Sequence, residues 1–212
     1  SVQLSVQYLM MNSYDNQKNE VNHPEVQLNE FDRDSVESVS DEHTFNQNIT
    51  VVKIGGSTLG EHDTTLSDLV QLQKQGQNPV VVHGGGKIVS EWMEKQGVKP
   101  KFVDGLRVTD AQSLDIVTSV LTGLINKNLV SSIIKKGGNA VGISGVDGQM
   151  ISAKITNPNL GFVGEVTSIN SKPIFSALNS GFIPVIAPVG VNEDSSENED
   201  TNLLNINADT VA

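Results

Sequence analysis

Two glycine-rich turns in this 212-residue chain carry residue types that can bind anionic groups. Residues 80–82 (VVV) lead into residues 83–86 (HGGG), and residues 49–52 (ITVV) lead into residues 53–56 (KIGG). Glycine lets the backbone approach a ligand closely, and the N–H groups at the start of a following helix favour negative charge. Because Lys53 stands just before the upstream turn, the two turns predict a site that holds two anionic groups.

Each of these residues also has a purely structural interpretation. Lys53 can be a lysine at the edge of a strand whose stem covers apolar surface. The glycines can serve the tight packing of a helix on a strand. His83 is interpreted as structural, positioning the turn that it begins.

Alternating strand and helix signals surround the turns. β-branched runs predict buried strands at residues 50–54, 80–82, 140–144 and 183–188, and apolar spacing predicts helices at residues 66–72, 88–96, 110–136 and 174–178. Residues 147–166 are expected to form one or two hairpins on top of the sheet. The order predicts an α/β fold, a three-layer αβα sandwich with a mostly parallel, doubly wound sheet. Because a helix begins near Ala208 and the sequence ends at residue 212, we expect this sheet to be truncated at the C-terminus.

The net charge of −11 belongs to two segments rather than to the folded part. Residues 1–47 contain nine acids and two bases, and residues 192–201 add five acids and no base, so the remainder is close to neutral. We predict that residues 1–47 are a disordered acidic segment and that residues 192–201 form a solvated loop without the spacing of an EF-hand.

Composition excludes several classes of function. There are no cysteines, so disulfides, thiolate metal sites and cysteine nucleophiles are excluded. The acidic balance disfavours nucleic acid as a partner. No apolar stretch is expected to reach the roughly 20 residues of a membrane helix, and residues 1–47 do not resemble an Arg-rich transit peptide. We therefore expect a cytoplasmic protein.

Four motifs in order resemble those of N-acetylglutamate kinase, of the amino-acid kinase superfamily. They are Lys53-x-Gly55-Gly56, residues 83–86 (HGGG), residues 104–109 (DGLRVT) and residues 205–209 (NINAD). The resemblance covers residues 48–212. It implies transfer of the ATP γ-phosphoryl group to the side-chain carboxylate of N-acetyl-L-glutamate, a step of arginine biosynthesis. Family members continue for roughly a hundred residues beyond the last motif, into most of the nucleotide site. The resemblance thus implies that residues 48–212 form the N-terminal, acyl-amino-acid-binding part.

The resemblance also implies a role for each motif residue. Lys53 is expected to stabilise the transferred phosphoryl group, and Asp209 to orient the catalytic lysines. Gly55 and Gly56 would bind phosphate through their N–H groups. The substrate would contact a third set, namely Gly85, Gly86, Arg107 and Asn205. Arg107 suits a carboxylate because a guanidinium pairs with it bidentately. Without the family, Arg107 is a surface arginine after a loop and Asp209 an ordinary helix N-cap.

The implied partners are N-acetyl-L-glutamate and ATP, with Mg²⁺ carried by the nucleotide and no metal site in the protein. A homodimer or larger homo-oligomer is expected, with the subunit interface on the helix of residues 110–136 and the helix before it. Two alternatives stay open: an N-acetyl-aminoadipate kinase of lysine biosynthesis, and a substrate-binding fragment that does not turn over. One methylene separates the two substrates, which is worth only about 1–3 kcal/mol.

Overall fold

The computed structural model describes residues 49–55, 64–195 and 201–212. The strands are β1 (Ile49–Ile54), β2 (Asn78–His83), β3 (Phe102–Val103), β4 (Leu106–Arg107), β5 (Ala140–Ser144), β6 (Ile151–Lys154), β7 (Val163–Ile169), β8 (Ile183–Ala187), β9 (Val189–Asn192) and β10 (Leu203–Ile206). The helices are α1 (Thr65–Lys74), α2 (Gly86–Lys95), α3 (Ala111–Thr118), α4 (Asn126–Lys135), α5 (Lys172–Asn179) and α6 (Ala208–Val211).

A parallel four-stranded sheet lies at the centre of the described residues. Its strand order is β1-β2-β8-β5, and every pairing is parallel. Ile54 is in register with His83, so the two glycine turns leave neighbouring strands at the same edge of the sheet. The predicted α/β class with a parallel sheet is confirmed.

The prediction that the first strand is buried was wrong. In β1 only Ile54 is buried, whereas Ile49 and Val51 are 39% and 49% exposed. The physical reason is position, because β1 is an edge strand that pairs only with β2 among the described residues. The β-branched residues of β1 therefore indicate a strand, but they do not indicate that the strand is buried.

One face of the sheet packs against four of the helices. The buried side chains of α1, α2, α3 and α4 meet Val81, Val185 and Ala187 in one hydrophobic cluster. Between α3 and α4 the chain does not break, because Ser119–Ile125 continues the helix with π-type hydrogen bonds. Such π segments are rare and are found frequently at functional sites.

The continuous helix Ala111–Lys135 is long and apolar enough to cross a membrane by length and composition alone. The expectation that no such stretch exists was therefore wrong. The helix nevertheless buries Ile116, Val117, Leu121, Leu129 and Ile133 in the core cluster. A core helix passes the same test of length and composition, so this feature is weak evidence for a membrane.

The other face of the sheet is covered by α5 and by a small closed barrel. The barrel consists of β10, β7, β6 and β9, and its side chains cluster with Val80, Val82 and Ile186 of the sheet. Strands β6 and β7 form the predicted antiparallel hairpin, with a register shift between Ser152 and Ala153. The third layer is thus part helix and part barrel, which the strand-helix pattern alone did not predict.

A short hairpin of β3 and β4 connects α2 to α3. Its turn residues Asp104 and Gly105 both have positive φ, 50° and 80°, as tight two-residue hairpin turns require. Asp110, the first residue of the helix predicted at residues 110–136, caps α3 by accepting a hydrogen bond from the Ser113 N–H. The predictions for residues 1–47 and for residues 196–200 of the acidic loop fall outside the described residues.

Candidate active site

A cleft of about 300 Å³ opens at the carboxyl ends of β1 and β2. Open parallel sheets bind ligands at this position. Seven of the eight residues that the sequence predicted for the site line this one cleft: Lys53, Gly55, Gly85, Gly86, Arg107, Asn205 and Asp209. The eighth, Gly56, lies outside the described residues. The tertiary structure thus brings together residues that are up to 156 positions apart in sequence.

The glycine turn after β2 packs directly against the π-helical segment. A Cβ atom at Gly85 would lie 2.3 Å from Ile125 Cδ1 and 2.9 Å from Leu121 Cδ2. At Gly86 the same atom would have nothing within 4 Å. The structural interpretation therefore holds for Gly85, which is needed for packing, and it does not explain Gly86.

The N-terminus of α2 faces the cleft without a competing anion. The helix has ten residues, no side-chain cap and no acidic residue in its first turn. Its first N–H groups have no partner within the helix and carry partial positive charge. Gly85 and Gly86 both line the cleft at this point. The arrangement suits a negatively charged ligand group.

His83 lies beneath the turn, fully buried and outside the cleft lining. Its Nδ1 lies 3.0 Å from the Gly84 carbonyl oxygen, which can only accept, so Nδ1 carries the proton and donates. Its Nε2 then accepts from Asn126 Nδ2 at 3.2 Å, and the same Asn126 nitrogen also donates to the Val185 carbonyl. Burial lowers the pKa of the imidazole, the bond to Gly84 opposes that shift, and the Lys127 charge adds to it. His83 is therefore neutral and structural.

Lys53 and Asp209 form an ion pair, called the lysine pair below. The distance from Lys53 Nζ to Asp209 Oδ1 is 2.8 Å, and the two side chains are 37% and 70% exposed. Asp209 is not the N-cap of α6, as one interpretation held. Asn207 is the N-cap, and its side chain accepts from the Asp209 N–H. Asp209 stands in the first helical turn and reaches back to β1.

Arg107 is held by the residues of α2, in what we call the arginine cluster: Arg107, Gly86, Ser90, Met93 and Phe102. Its Nη2 donates to the Gly86 carbonyl at 2.8 Å and to Ser90 Oγ at 2.9 Å, and Nη1 lies 3.0 Å from Met93 Sδ. The Phe102 ring centroid is 4.7 Å from the guanidinium carbon. Burial lowers the pKa of Arg107, but a guanidinium stays protonated in proteins.

This geometry changes the expected carboxylate pairing. Both Nη2 hydrogens of Arg107 are committed, which leaves the Nε–H and one Nη1–H on different edges of the guanidinium. A carboxylate that pairs through two parallel bonds must displace either the Gly86 carbonyl or Ser90 Oγ. Arg107 is thus a cation already fixed in the cleft wall, only 8% exposed.

Sequence reasoning missed several residues that complete the site. Phe102, Leu106 and Asn207 also line the cleft, and Asn207 was part of the quoted motif at residues 205–209. Ser90 and Thr109 contact the predicted site residues Arg107 and Asn205. Thr109 is the last residue of the quoted motif at residues 104–109, whereas Ser90 carries no signal in the sequence, because its partner is defined only by the fold.

The fold and the cleft define an α/β protein with two glycine turns at the ends of neighbouring parallel strands, beside a lysine and a buried arginine, in an arrangement suited to anionic ligand groups. The sequence profile described as the amino acid kinase family matches residues 48–212, and the chain belongs to that family.

Curated relatives agree with this placement. The acetylglutamate kinase of Synechocystis sp. is 45% identical over 166 residues, covering 76% of this chain and 54% of the relative. That of Porphyra purpurea is 43% identical over 172 residues, covering 79% and 59%. The chain therefore spans little more than half the length of these relatives.

Solved structures share the fold. The crystal structure of smu.665 from Streptococcus mutans superimposes with a TM-score of 0.69 at 32% identity, covering 77% of this chain and 65% of that one. An N-acetylglutamate synthase from Neisseria gonorrhoeae, in complex with coenzyme A and N-acetyl-glutamate, has a TM-score of 0.60 at 19% identity, covering 76% and 37%. At that identity the second likeness concerns the fold alone.

Proposed function

We propose that this chain provides the acyl-amino-acid-binding part of an acetylglutamate kinase. In the reaction a side-chain carboxylate oxygen of N-acetyl-L-glutamate attacks the γ-phosphorus of ATP. The bond from that phosphorus to the bridging oxygen breaks, and ADP leaves with the electron pair. The products are the acyl phosphate and ADP. The observation that carries the proposal is one cleft with two cations and two glycine turns, in a chain 41–45% identical to proteins of that name.

Lys53 has the position and exposure to neutralise the transferred phosphoryl group. Phosphoryl transfer asks the protein mainly for positioning and for stabilisation of charge. Among the described residues the Lys53 ammonium is paired only with an exposed carboxylate, so it can turn toward a phosphate without leaving a buried charge unpaired. Asp209 then fixes the lysine until the ligand arrives. Gly55, and Gly56 beside it in sequence, would add backbone N–H donors for the phosphates.

Arg107 and the N-terminus of α2 would hold the acyl amino acid. The buried guanidinium offers a fixed positive charge to the α-carboxylate, and Gly85 and Gly86 present N–H groups nearby. Asn205 lines the same cleft and would contact the acylated amino group. The ATP would carry Mg²⁺ with it. Within residues 49–55, 64–195 and 201–212 no three metal-ligating side chains converge, so the proposal assigns no metal ligand to them.

Calorimetric titration tests the substrate assignment. Saturable binding of N-acetyl-L-glutamate to the chain is expected, with weaker binding of N-acetyl-L-aminoadipate and none of aspartate. Arg107→Ala should abolish the binding. Lys172→Ala is the matched control, because it removes one exposed positive charge outside the cleft lining. Preference for the aminoadipate derivative would move the proposal to the lysine pathway, and the absence of binding would overturn it.

We also propose that a homodimer forms through the outer face of α2 and the π-helical segment, in the cytoplasm. This face has a second, apolar cleft whose wall includes Trp92 and Leu124, each 37% exposed. Leu124→Glu should therefore lower the mass measured by sedimentation equilibrium to that of a monomer. Ile134→Glu is the control, because Ile134 is an exposed apolar residue of the same long helix outside that cleft. An unchanged mass for Leu124→Glu would remove this face as the interface.

A further inference from the structure

Thr109 connects the hairpin, the barrel and the cleft, although it does not line the cleft itself. It is fully buried, its N–H donates to the Leu160 carbonyl at 2.8 Å, and its carbonyl accepts from the Phe162 N–H at 2.7 Å. A Cβ atom at Gly161 would lie 2.3 Å from the Thr109 carbonyl oxygen. The backbone of Thr109 is therefore held on both sides and has little room to shift.

The hydroxyl of Thr109 joins the backbone of Arg107 to the side chain of Asn205, and both residues are proposed to hold the acyl amino acid. Its Oγ1 lies 3.0 Å from the Arg107 carbonyl oxygen and 3.2 Å from Asn205 Nδ2. A carbonyl oxygen can only accept, so the single hydroxyl hydrogen must go to Arg107. The hydroxyl can then offer Asn205 only an acceptor. The atom of Asn205 that faces Thr109 must be the NH₂ group, whichever way the amide is first drawn.

This hydrogen-bond count fixes the orientation of the Asn205 amide, so that one Nδ2 hydrogen is used by Thr109 and Oδ1 keeps its full capacity to accept. With Nδ2 directed at the buried hydroxyl, Oδ1 is the other arm of the planar amide. Among the described residues Oδ1 has no hydrogen-bond partner, and Asn205 lines the cleft. We propose that Thr109 is a positioning residue that turns Asn205 so that it presents an acceptor to the substrate. The site then selects a ligand with an N–H at this point, namely the N–H of an N-acylated amino group.

This inference rests on the proposed function and sharpens its specificity. An ester that replaces the substrate N–H by an oxygen would bring two acceptors face to face. A site built around one hydrogen bond discriminates against a ligand that lacks its partner, because the polar group of the site stays unsatisfied. We expect the amide to bind roughly 10- to 100-fold more tightly than the ester of the same shape.

The test compares two ligands on three proteins by calorimetry. The ligands are N-acetyl-L-glutamate and (S)-2-acetoxyglutarate, the O-acetyl ester analogue. The proteins are the unmodified chain, Thr109→Ser, which keeps the hydroxyl, and Thr109→Val, which keeps the shape and removes it. The preference for the amide should persist in Thr109→Ser. It should fall to less than about threefold in Thr109→Val, because Asn205 is then free to turn its amide around.

Each outcome decides something different. Equal binding of amide and ester by the unmodified chain overturns this inference while the proposed function stands. A preference that survives in Thr109→Val overturns the role of the hydroxyl. No binding of N-acetyl-L-glutamate overturns the proposed function, and the inference with it. If Thr109→Val does not melt cooperatively, Thr109→Ala takes its place as the variant without the hydroxyl. The unmodified chain and Thr109→Ser still decide whether the preference for the amide exists.

Discussion

The lysine pair and the arginine cluster line the same cleft, but the fold holds them in opposite ways. The two side chains of the lysine pair are 37% and 70% exposed and bond only to each other among the described residues. Arg107 is 8% exposed and reaches Gly86, Ser90 and Met93 under the ring of Phe102. Exposed ion pairs contribute little to stability, whereas buried charged groups must be satisfied. The arginine cluster is therefore formed before any ligand binds, whereas the lysine pair can separate when a ligand binds.

The largest expected effect separates activity from stability at the lysine pair. When the nucleotide-binding part of the kinase is present, Lys53→Met should lower the rate of phosphoryl transfer by roughly 10²–10³, because one preorganised charge is lost. The free energy of unfolding should change by less than about 1 kcal/mol, because the pair is exposed. The rate is measured by trapping the acyl phosphate with hydroxylamine, and stability by urea denaturation. Lys172→Met is the charge-matched control, and an unchanged rate would remove Lys53 from the reaction.

Substitution of Arg107 should lower stability and substrate affinity together. Arg107→Met removes the charge-assisted hydrogen bonds to the Gly86 carbonyl and to Ser90 Oγ, so we expect a loss of about 1–3 kcal/mol of stability as well as a loss of substrate affinity. Arg107→Lys should keep the positive charge but lose the planar guanidinium, which donates to two acceptors at once. Urea denaturation and calorimetry measure the two quantities. Lost affinity at full stability would show that the arginine cluster is not formed in advance.

The glycine turn offers a matched pair of substitutions. Gly85→Ala places a methyl group against Ile125 and Leu121 and should cost about 1–3 kcal/mol of stability, as overpacking of a core does. Gly86→Ala meets nothing within 4 Å and lies at the start of a helix, where alanine is favoured by up to about 1 kcal/mol. Thermal unfolding of both variants measures the contrast. Equal losses would contradict the close packing of the π-helical segment on the turn.

The smallest expected effect is the pH dependence contributed by His83. Its pKa is lowered in the folded state, mainly by burial, so the unfolded chain binds more protons once the pH falls through the ordinary value near 6.5. Stability from the neutral imidazole is therefore full above that pH and declines below it. His83→Gln should reduce this slope between pH 7 and pH 5 in urea denaturation. An identical slope would mean that other groups, and not His83, carry the pH dependence.

Local patterns predicted the elements that depend on local physics. The β-branched run at residues 140–144 matches β5, and Asp110 caps α3, because strand propensity and capping need only neighbouring residues. The site residues were found through quoted motifs, and seven of the eight line one cleft. The barrel was not predicted, because it closes only when the β6–β7 hairpin pairs with β9 and β10, and those pairings depend on the fold. The predicted burial of β1 was wrong for the same reason, because the burial of a strand depends on which strands and helices lie beside it in the fold.

The sequence by itself determined the alternation of strands and helices, the two glycine turns and the residue types that could meet a phosphate and a carboxylate. These properties depend on chain stiffness, side-chain volume and charge, which each residue carries with it. Only the tertiary structure decided that Lys53 is exposed and Arg107 buried, and that the hydroxyl of Thr109 binds both Arg107 and Asn205. Hydrogen-bond direction and desolvation depend on which groups become neighbours, and that information exists only when distant segments pack together.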